Sequence, residues 1–145
     1  MPTRSIQDNI ALIVSGLQNA ITKGLDAAAE EGVRHIRSTH EFQYYGDNGI
    51  KSHTTVIKES PYIRGVLTDR YYASWVNYGN APLGTKIYPV NAKALRFVIN
   101  GQVFFRKYVS ASRPRPFFTN MVEMEKKFLP QALATAYTDF INTIL

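Results

Sequence analysis

Residues 87–118 read IYPVNAKALRFVINGQVFFRKYVSASRPRPFF, and this stretch decides the fold more than any other part of the chain. Asn100 and Gly101 stand at its centre, between two runs rich in aromatic and β-branched residues. Both residue types tolerate a positive φ, so the pair predicts a β-hairpin closed by a two-residue type I′ turn. That turn fixes the register, in which Ile99 faces Gln102 and the remaining pairs follow in order.

The predicted hairpin is apolar on both of its faces near the turn. An antiparallel hairpin with one solvated face normally alternates apolar and polar residues. Because this one does not, something must cover the second face, either a helix of the same chain or a neighbouring subunit. The first face carries Leu95, Phe97, Ile99, Phe104 and Tyr108, and the second carries Val98, Val103, Phe105 and Val109, with Arg96 and Lys107 among them.

The charge of the chain is unevenly distributed. The 145 residues carry a formal net charge of +6, yet no Asp or Glu occurs between Arg70 and Val122. A basic segment of this kind predicts an acidic partner, either nucleic acid or another protein, and the alternative is a merely solvated basic surface. The basic residues of the segment are Arg70, Lys86, Lys93, Arg96, Arg106, Lys107, Arg113 and Arg115.

The composition argues against several classes of function. The chain has no cysteine, which excludes disulfides, thiolate metal sites and a thiol nucleophile. Its apolar runs are too short for a membrane span and its start lacks a secretory signal, so we expect no membrane partner. The histidines lack the spacing of a metal motif, and we expect neither metal nor cofactor. The best catalytic constellation, Asp69 beside Arg70 with His53 upstream, is better interpreted as surface residues, and we expect no enzyme activity.

The chain begins with a predicted long helix. Ser5 followed by Asp8 resembles a capping box, and apolar residues then recur in steps of three and four as far as about Arg37. Gly16, Gly24 and Gly32 interrupt the pattern, and they predict either close backbone packing or a break.

The middle of the chain predicts strands and a long loop. Thr54–Lys58 has the pattern of a short strand, and Tyr62–Leu67 and Tyr71–Tyr78 are interpreted as the next strand pair. The loop before them contains Tyr44 and Tyr45, and we expect these two side chains to contact a partner rather than solvent.

A second helix is predicted at the end of the chain. Residues 112–116, called the proline arm below, are held extended by two prolines. Asn120 with Glu123 is typical of a helix start, and the helix should run to near Leu145, kinked or broken at Pro130. The sequence therefore predicts a single α+β domain, residues 1–145. It has a long N-terminal helix, an antiparallel sheet of about four to five strands and a C-terminal helix, with both helices on one sheet face.

Residues 72–79, YASWVNYG, resemble the "YA-x-x-V-E-[FY]-G" signature of the HK97 gp10-like proteins of tailed bacteriophages. Pro89, the run Lys93–Phe97, Val103 with Phe104, Val109 and Pro114–Phe117 are similar to that family in order and spacing. The resemblance covers roughly residues 62–120. Two departures are Asn77, where the family has an acidic residue, and residues 48–51, NGIK, in place of a "TG-x-L" element.

The resemblance implies a structural protein of the virion neck, a head–tail joining or tail-completion component that is assembled in the host cytoplasm. It implies a homo-oligomeric ring, with six-fold symmetry favoured, between the capsid connector and the tail. Its partners would be stopper or adaptor, terminator and tail-tube proteins, with non-specific contact to DNA in the lumen. The alternatives are a tail terminator ring that caps the tail tube, or a basic nucleic-acid-binding module that stacks bases on exposed aromatic residues.

Two sets of candidate site residues follow from this interpretation. The predicted interface residues are Tyr44, Tyr45, Trp75, Asn77, Phe105, Lys107, Arg113, Arg115 and Phe117. The residues predicted to face DNA or an acidic partner are Lys86, Lys93, Arg96 and Arg106.

Overall fold

A computed structural model describes residues 5–42 and 49–145, and its architecture is α+β as predicted. The elements are α1 (Ile6–Ser38), β1 (Thr54–Ser60), β2 (Ile63–Thr68), α2 (Ala73–Tyr78), β3 (Lys86–Ile87), β4 (Leu95–Ile99), β5 (Gln102–Arg106), β6 (Val109–Ser110) and α3 (Phe117–Ile144). The strands do not form the single sheet that the sequence suggested. They pair as three antiparallel ladders of two strands each, β1 with β2, β3 with β6 and β4 with β5.

The chain divides into two compact units. The helical unit consists of the described residues up to Arg70 together with Phe117–Leu145, and it contains α1, α3 and the β1–β2 ladder. The basic unit consists of Tyr71–Pro116 and contains α2, β3, β4, β5 and β6.

Helix α1 begins as its sequence predicts. The Ser5 hydroxyl accepts a hydrogen bond from the Asp8 backbone N–H, and the Asp8 carboxylate accepts one from the Ser5 backbone N–H. These reciprocal bonds satisfy two of the donors that every helix start leaves unpaired. The helix continues without interruption through all three glycines, so the prediction of close packing is confirmed and the alternative of a break is wrong.

The glycines of α1 allow this helix to pack closely against α3. Small residues recur at every fourth position of α1, and all but the first of them are buried. A side chain of that size lets two helix backbones approach closely, as in other stripes of small residues. This stripe consists of Gly16, Ala20, Gly24, Ala28 and Gly32.

Helix α3 starts earlier than predicted. It begins at Phe117, directly after Pro116, and the Asn120 side chain donates a hydrogen bond to Glu41 Oε1 instead of capping the helix. Phe117 is fully buried and its ring meets that of Phe42 edge-on at 4.9 Å, which fixes the first turn. The helix continues through Pro130, so the predicted break at that residue is wrong.

The β1–β2 ladder packs on α1. Arg64 of β2 donates a hydrogen bond of 2.5 Å to Asp26 of α1, and Lys58 of β1 lies 3.6 Å from the same carboxylate. Thr54, at the start of β1, is completely buried and donates its hydroxyl proton to the Ile50 carbonyl. The predicted strand at Tyr62–Leu67 is confirmed within one residue, although its partner is β1.

The prediction of a strand at Tyr71–Tyr78 is wrong. These residues contain the short helix α2, which buries Ala73 and Asn77 and exposes Trp75 and Tyr78. Ala73 and Asn77 are four residues apart and therefore share one helix face. Over only eight residues, the pattern of apolar and aromatic positions does not distinguish a strand from a helix.

The hairpin of β4 and β5 has the predicted register throughout. Ile99 pairs with Gln102, and the ladder continues to Arg96 opposite Phe105. The turn residues Asn100 and Gly101 have φ values of 50° and 79°, as a type I′ turn requires. Val109 does not belong to this hairpin, since it lies on β6 and pairs with Ile87 of β3.

Candidate interaction surface of the basic unit

The acid-free segment of the sequence coincides with a structural unit. The basic unit, Tyr71–Pro116, contains seven Lys and Arg residues and no Asp or Glu. The rest of the chain contains ten basic and eleven acidic residues, so the net positive charge of the protein comes entirely from this unit. Among the described residues, none of the seven basic side chains forms an ion pair. The charge of these side chains is therefore not neutralised by a carboxylate of the described residues.

The second face of the hairpin is exposed. Phe105 is 60% exposed, and Val98 and Val103 beside it are also exposed, together with Arg96. Lys107, which follows β5, is exposed as well. The hairpin thus presents an apolar patch bordered by cations, and we call these five residues the hairpin face. An exposed apolar group with a polar border is typical of a protein–protein contact site.

The opposite face of the hairpin is more enclosed. The rings of Phe97 and Phe104 stack at 6.1 Å and are only partly exposed. The Arg106 guanidinium lies 5.8 Å from the centre of the Phe104 ring, and Lys86 lies 4.6 Å from that of Tyr108. Such cation–π contacts orient two of the predicted partner-facing residues and leave their charge unpaired. Lys93, a third, is exposed in the segment before β4.

The proline arm is bonded to α2 and the residues after it. The Arg115 backbone N–H donates to the Val76 carbonyl at 2.8 Å, and the Ser112 N–H donates to Asn80 Oδ1 at 2.7 Å. Between them, Gly79 ends α2 with φ of 82°, where an added Cβ would lie 2.9 Å from the Ser112 carbonyl oxygen. Glycine is required there by conformation and by space. The backbone of the arm is held by these bonds, and the side chains of Arg113 and Arg115 are exposed.

Exposed aromatic rings surround the start of α2. Tyr71 is 82% exposed, and its ring lies edge-on to Tyr72 at 5.3 Å and to Trp75 at 5.9 Å. Trp75 was predicted as an interface residue, and its exposed position is compatible with that role. Aromatic residues are enriched in the energetically important centres of protein interfaces.

Four predicted interface residues are not placed on the described surface. Asn77 is only 3% exposed and Phe117 only 1%, so the chain itself buries both side chains and neither is available to a partner. Their sequence signals reflected packing, of α2 in one case and of the first turn of α3 in the other. Tyr44 and Tyr45 lie outside the residues that the structure describes.

The structure brings together the constellation that the sequence suggested for catalysis. His53 Nδ1 lies 3.0 Å from Asp69 Oδ1 and 2.7 Å from Arg70 Nη2, and Arg70 Nε donates to Asp69 at 3.2 Å. The cluster joins the residue before β1 to the residues after β2, where the Asp69 N–H also bonds the His53 carbonyl. These contacts tie the two strand ends together.

Two further kinds of site are absent from residues 5–42 and 49–145. No group of three His, Asp or Glu side chains there is arranged to hold a metal ion. None of the helices in the same ranges contains a stretch long and apolar enough to cross a bilayer.

The sequence interpretation missed a second exposed apolar surface. The free ends of α1 and α3, residues 5–22 and 128–145, are called the helix tip here. The periodic apolar stripe of each helix predicts a face packed in the core, yet several stripe residues, and other apolar residues beside the stripe, are exposed because only part of each helix circumference is covered. The exposed ones are Ile6, Ile10, Leu12, Ile13, Val14, Ile21, Tyr137, Ile144 and Leu145. Periodicity identifies an apolar face without identifying what covers it.

Neither the protein-family models, nor the curated proteins, nor the solved structures contain a match to this chain.

Proposed function

We propose that the protein is a structural component of the neck of a tailed bacteriophage, which joins head to tail as part of a ring of identical copies. The observation that carries the proposal is the surface of the basic unit, where exposed apolar side chains are bordered by cations without ion-pair partners. Such a surface suits a protein whose partners are other proteins of an assembly.

The arrangement of the proline arm supports an assembly role. Its backbone is fixed by hydrogen bonds to Val76 and Asn80, so little conformational entropy would be lost when it meets a partner. Arg113 and Arg115 project from this fixed segment and can form bidentate contacts with carboxylates.

The charge of the basic unit supports the same role through repetition. A ring multiplies the seven cations of each copy, and an acidic protein surface above or below the ring would meet all of them at once. Cations that lined a lumen would also attract passing DNA without reading its sequence.

The test is deletion of the gene from its phage, followed by electron microscopy of the lysate. A neck component predicts filled heads and separate tails of normal length, which join when the purified protein is added. A protein that caps the tail tube would instead leave tail length uncontrolled. Normal particles from the deletion would contradict both roles.

The exposed rings of Tyr71 and Trp75 favour nucleic-acid binding as a second candidate function. Exposed aromatic side chains beside cations can stack on bases of a single strand. In that case Trp75→Ala should weaken binding of a single-stranded oligonucleotide, and affinity should fall steeply with salt. Binding that is absent at low salt would remove this candidate.

A further inference from the structure

Two exposed surfaces of the chain are both apolar and carry charges of opposite sign. We infer that the helix tip of one copy binds the hairpin face of a second copy, which makes a head-to-tail contact between identical chains. The inference rests on the proposed function only in expecting the contact to close into a ring.

The helix tip is apolar and carries only negative charge. Residues 5–22 and 128–145 contain no Lys or Arg, and their acidic residues are Asp8 and Asp139. Asp8 is engaged in the capping box of α1. Asp139 is exposed and, among the described residues, forms no ion pair.

A groove between α1 and α3 reaches into this tip. Its volume is about 620 Å³, and small residues on both helices leave the space open. The lining includes Gly16, Ala20, Ala132, Ala136 and Phe140, with Asp139 at the same level of α3 as Phe140. The one cation of the lining, Lys23, follows the α1 part of the tip. A groove of this kind accepts a large apolar side chain from outside.

The hairpin face has the opposite properties. Phe105 lies opposite Arg96 and two residues from Val103 on the same strand, so its exposed ring shares one face with Val103 and Val98, and the charges of that face are those of Arg96 and Lys107. The Phe105 ring would enter the groove, and the two cations would meet Asp139. Burial of these apolar groups supplies the driving force, and the charge pairing selects the orientation.

The proposed contact joins two different surfaces, and every copy has both. Contacts of this type are heterologous, so they continue from copy to copy and generate a closed ring or an open filament. Within the single chain neither surface is covered by other residues, since both are exposed there.

Sedimentation velocity on the purified full-length chain and its variants tests the contact. Phe105→Asp replaces the aromatic side chain of the hairpin face with a charged one. Leu12→Asp places a charge on the helix tip, one helical turn before Gly16 and on the same side of α1. Each variant alone should weaken self-association about thirtyfold or more, as loss of an interface hot spot does. The matched controls are Ile99→Asp, on the other hairpin face, and Leu67→Asp, an exposed apolar residue of β2; both should associate normally. Circular dichroism and melting temperature verify folding of all four.

A mixture of the two disabled variants gives the sharpest result. The Phe105→Asp chain keeps an intact helix tip and the Leu12→Asp chain keeps an intact hairpin face, so the mixture should form a one-to-one dimer and nothing larger. As a second measurement, Arg96→Glu and Asp139→Lys should each weaken association, and the double variant should recover part of it.

Three results would overturn the inference: a wild-type chain that stays monomeric at its highest soluble concentration, a mixture that gives no dimer, or one variant that disrupts association while the other does not. The last result would indicate contact between two like surfaces. The phage deletion experiment is independent of these measurements. Unjoined heads and tails there, combined with normal association of Phe105→Asp, would leave the neck function intact and reject this contact.

Discussion

Gly24 of α1 lies so close to Leu133 of α3 that a Cβ added at Gly24 would come within 3.0 Å of the Leu133 Cα and 2.7 Å of its Cδ2. The obstacle thus includes backbone, which cannot move aside without shifting α3. At Gly16, by contrast, an added Cβ would meet the outer atoms of the Phe140 ring. The ring is partly exposed, so it can rotate away.

This difference predicts opposite outcomes for two identical substitutions. Gly24→Ala gains about 1 kcal/mol of helix propensity but loses about 1–3 kcal/mol by overpacking, so we expect net destabilisation. Gly16→Ala gains the same propensity against a movable side chain and should be neutral or stabilising. Urea denaturation of both variants measures the difference. A higher midpoint for Gly24→Ala than for the wild type would show that the helices are not in close contact there.

Glu125 of α3 predicts how stability depends on pH. Burial raises the pKa of this carboxyl above its usual 4.5, and the charge of Glu31 raises the pKa further. Because the pKa is higher in the folded chain than in the unfolded chain, its contribution to stability is full below pH 4.5 and is lost as pH rises through the folded pKa. Glu125→Gln should therefore be more stable than the wild type at neutral pH, with little difference in mild acid.

Glu123, two residues earlier on α3, is the matched control. The Lys126 ammonium donates a hydrogen bond to Glu123 and lowers its pKa, which is the opposite direction. Glu123→Gln should consequently give no gain at neutral pH. Equal effects of the two substitutions on denaturation midpoints between pH 5 and pH 8 would refute the assignment for Glu125.

The parts of the fold that depend on short-range rules were predictable from the sequence. The turn at Asn100-Gly101 requires positive φ at both residues, and it sets the register of the hairpin. The capping box at Ser5 sets the start of α1. The strand predicted at Tyr71–Tyr78 failed because aromatic enrichment favours a strand only weakly and depends on the packing around each residue. The boundary at Phe117 failed because the buried ring of Phe42, distant in sequence, stabilises the first turn of α3.

The candidate site was predicted only in part. Charge can be read directly from the sequence, so the basic segment was predicted, and it coincides with a compact unit of the structure. Exposure is not visible, because it depends on what covers each face. Phe105 and Trp75 are accessible while Asn77 and Phe117 are buried, although all four were predicted as interface residues. The exposed helix tip was missed for the same reason.

Gly79 predicts a stability effect at the junction of α2 and the proline arm. Its φ of 82° and ψ of 162° are accessible essentially to glycine alone, and an added Cβ would also press on the Ser112 carbonyl oxygen. Gly84 has a similar φ of 90° but open space around it. Both Gly79→Ala and Gly84→Ala should lower the melting temperature, and Gly79→Ala should lower it more. Equal losses would mean that the close approach of the arm contributes nothing.

Substitution of the exposed Arg115 side chain tests assembly separately from folding. The residue holds the proline arm through its backbone N–H, which donates to Val76, and a substitution of the side chain leaves that bond intact. Arg115→Glu should therefore leave the melting temperature nearly unchanged, since exposed substitutions usually cost within ~0.5 kcal/mol. The proposed neck function predicts that the reversed charge repels an acidic partner and leaves heads and tails unjoined.

Lys127→Glu provides the control for Arg115→Glu. Lys127 is an exposed cation of α3, and its substitution makes the same kind of charge reversal outside the basic unit. We expect infectious particles in normal number from Lys127→Glu and few from Arg115→Glu, as counted by plaque titre and seen by electron microscopy. If both variants gave normal titres, the proline arm would be a connector between β6 and α3 rather than part of the contact with a partner. If both failed equally, the effect would follow from net charge, and the position of Arg115 on a fixed arm would have no special role.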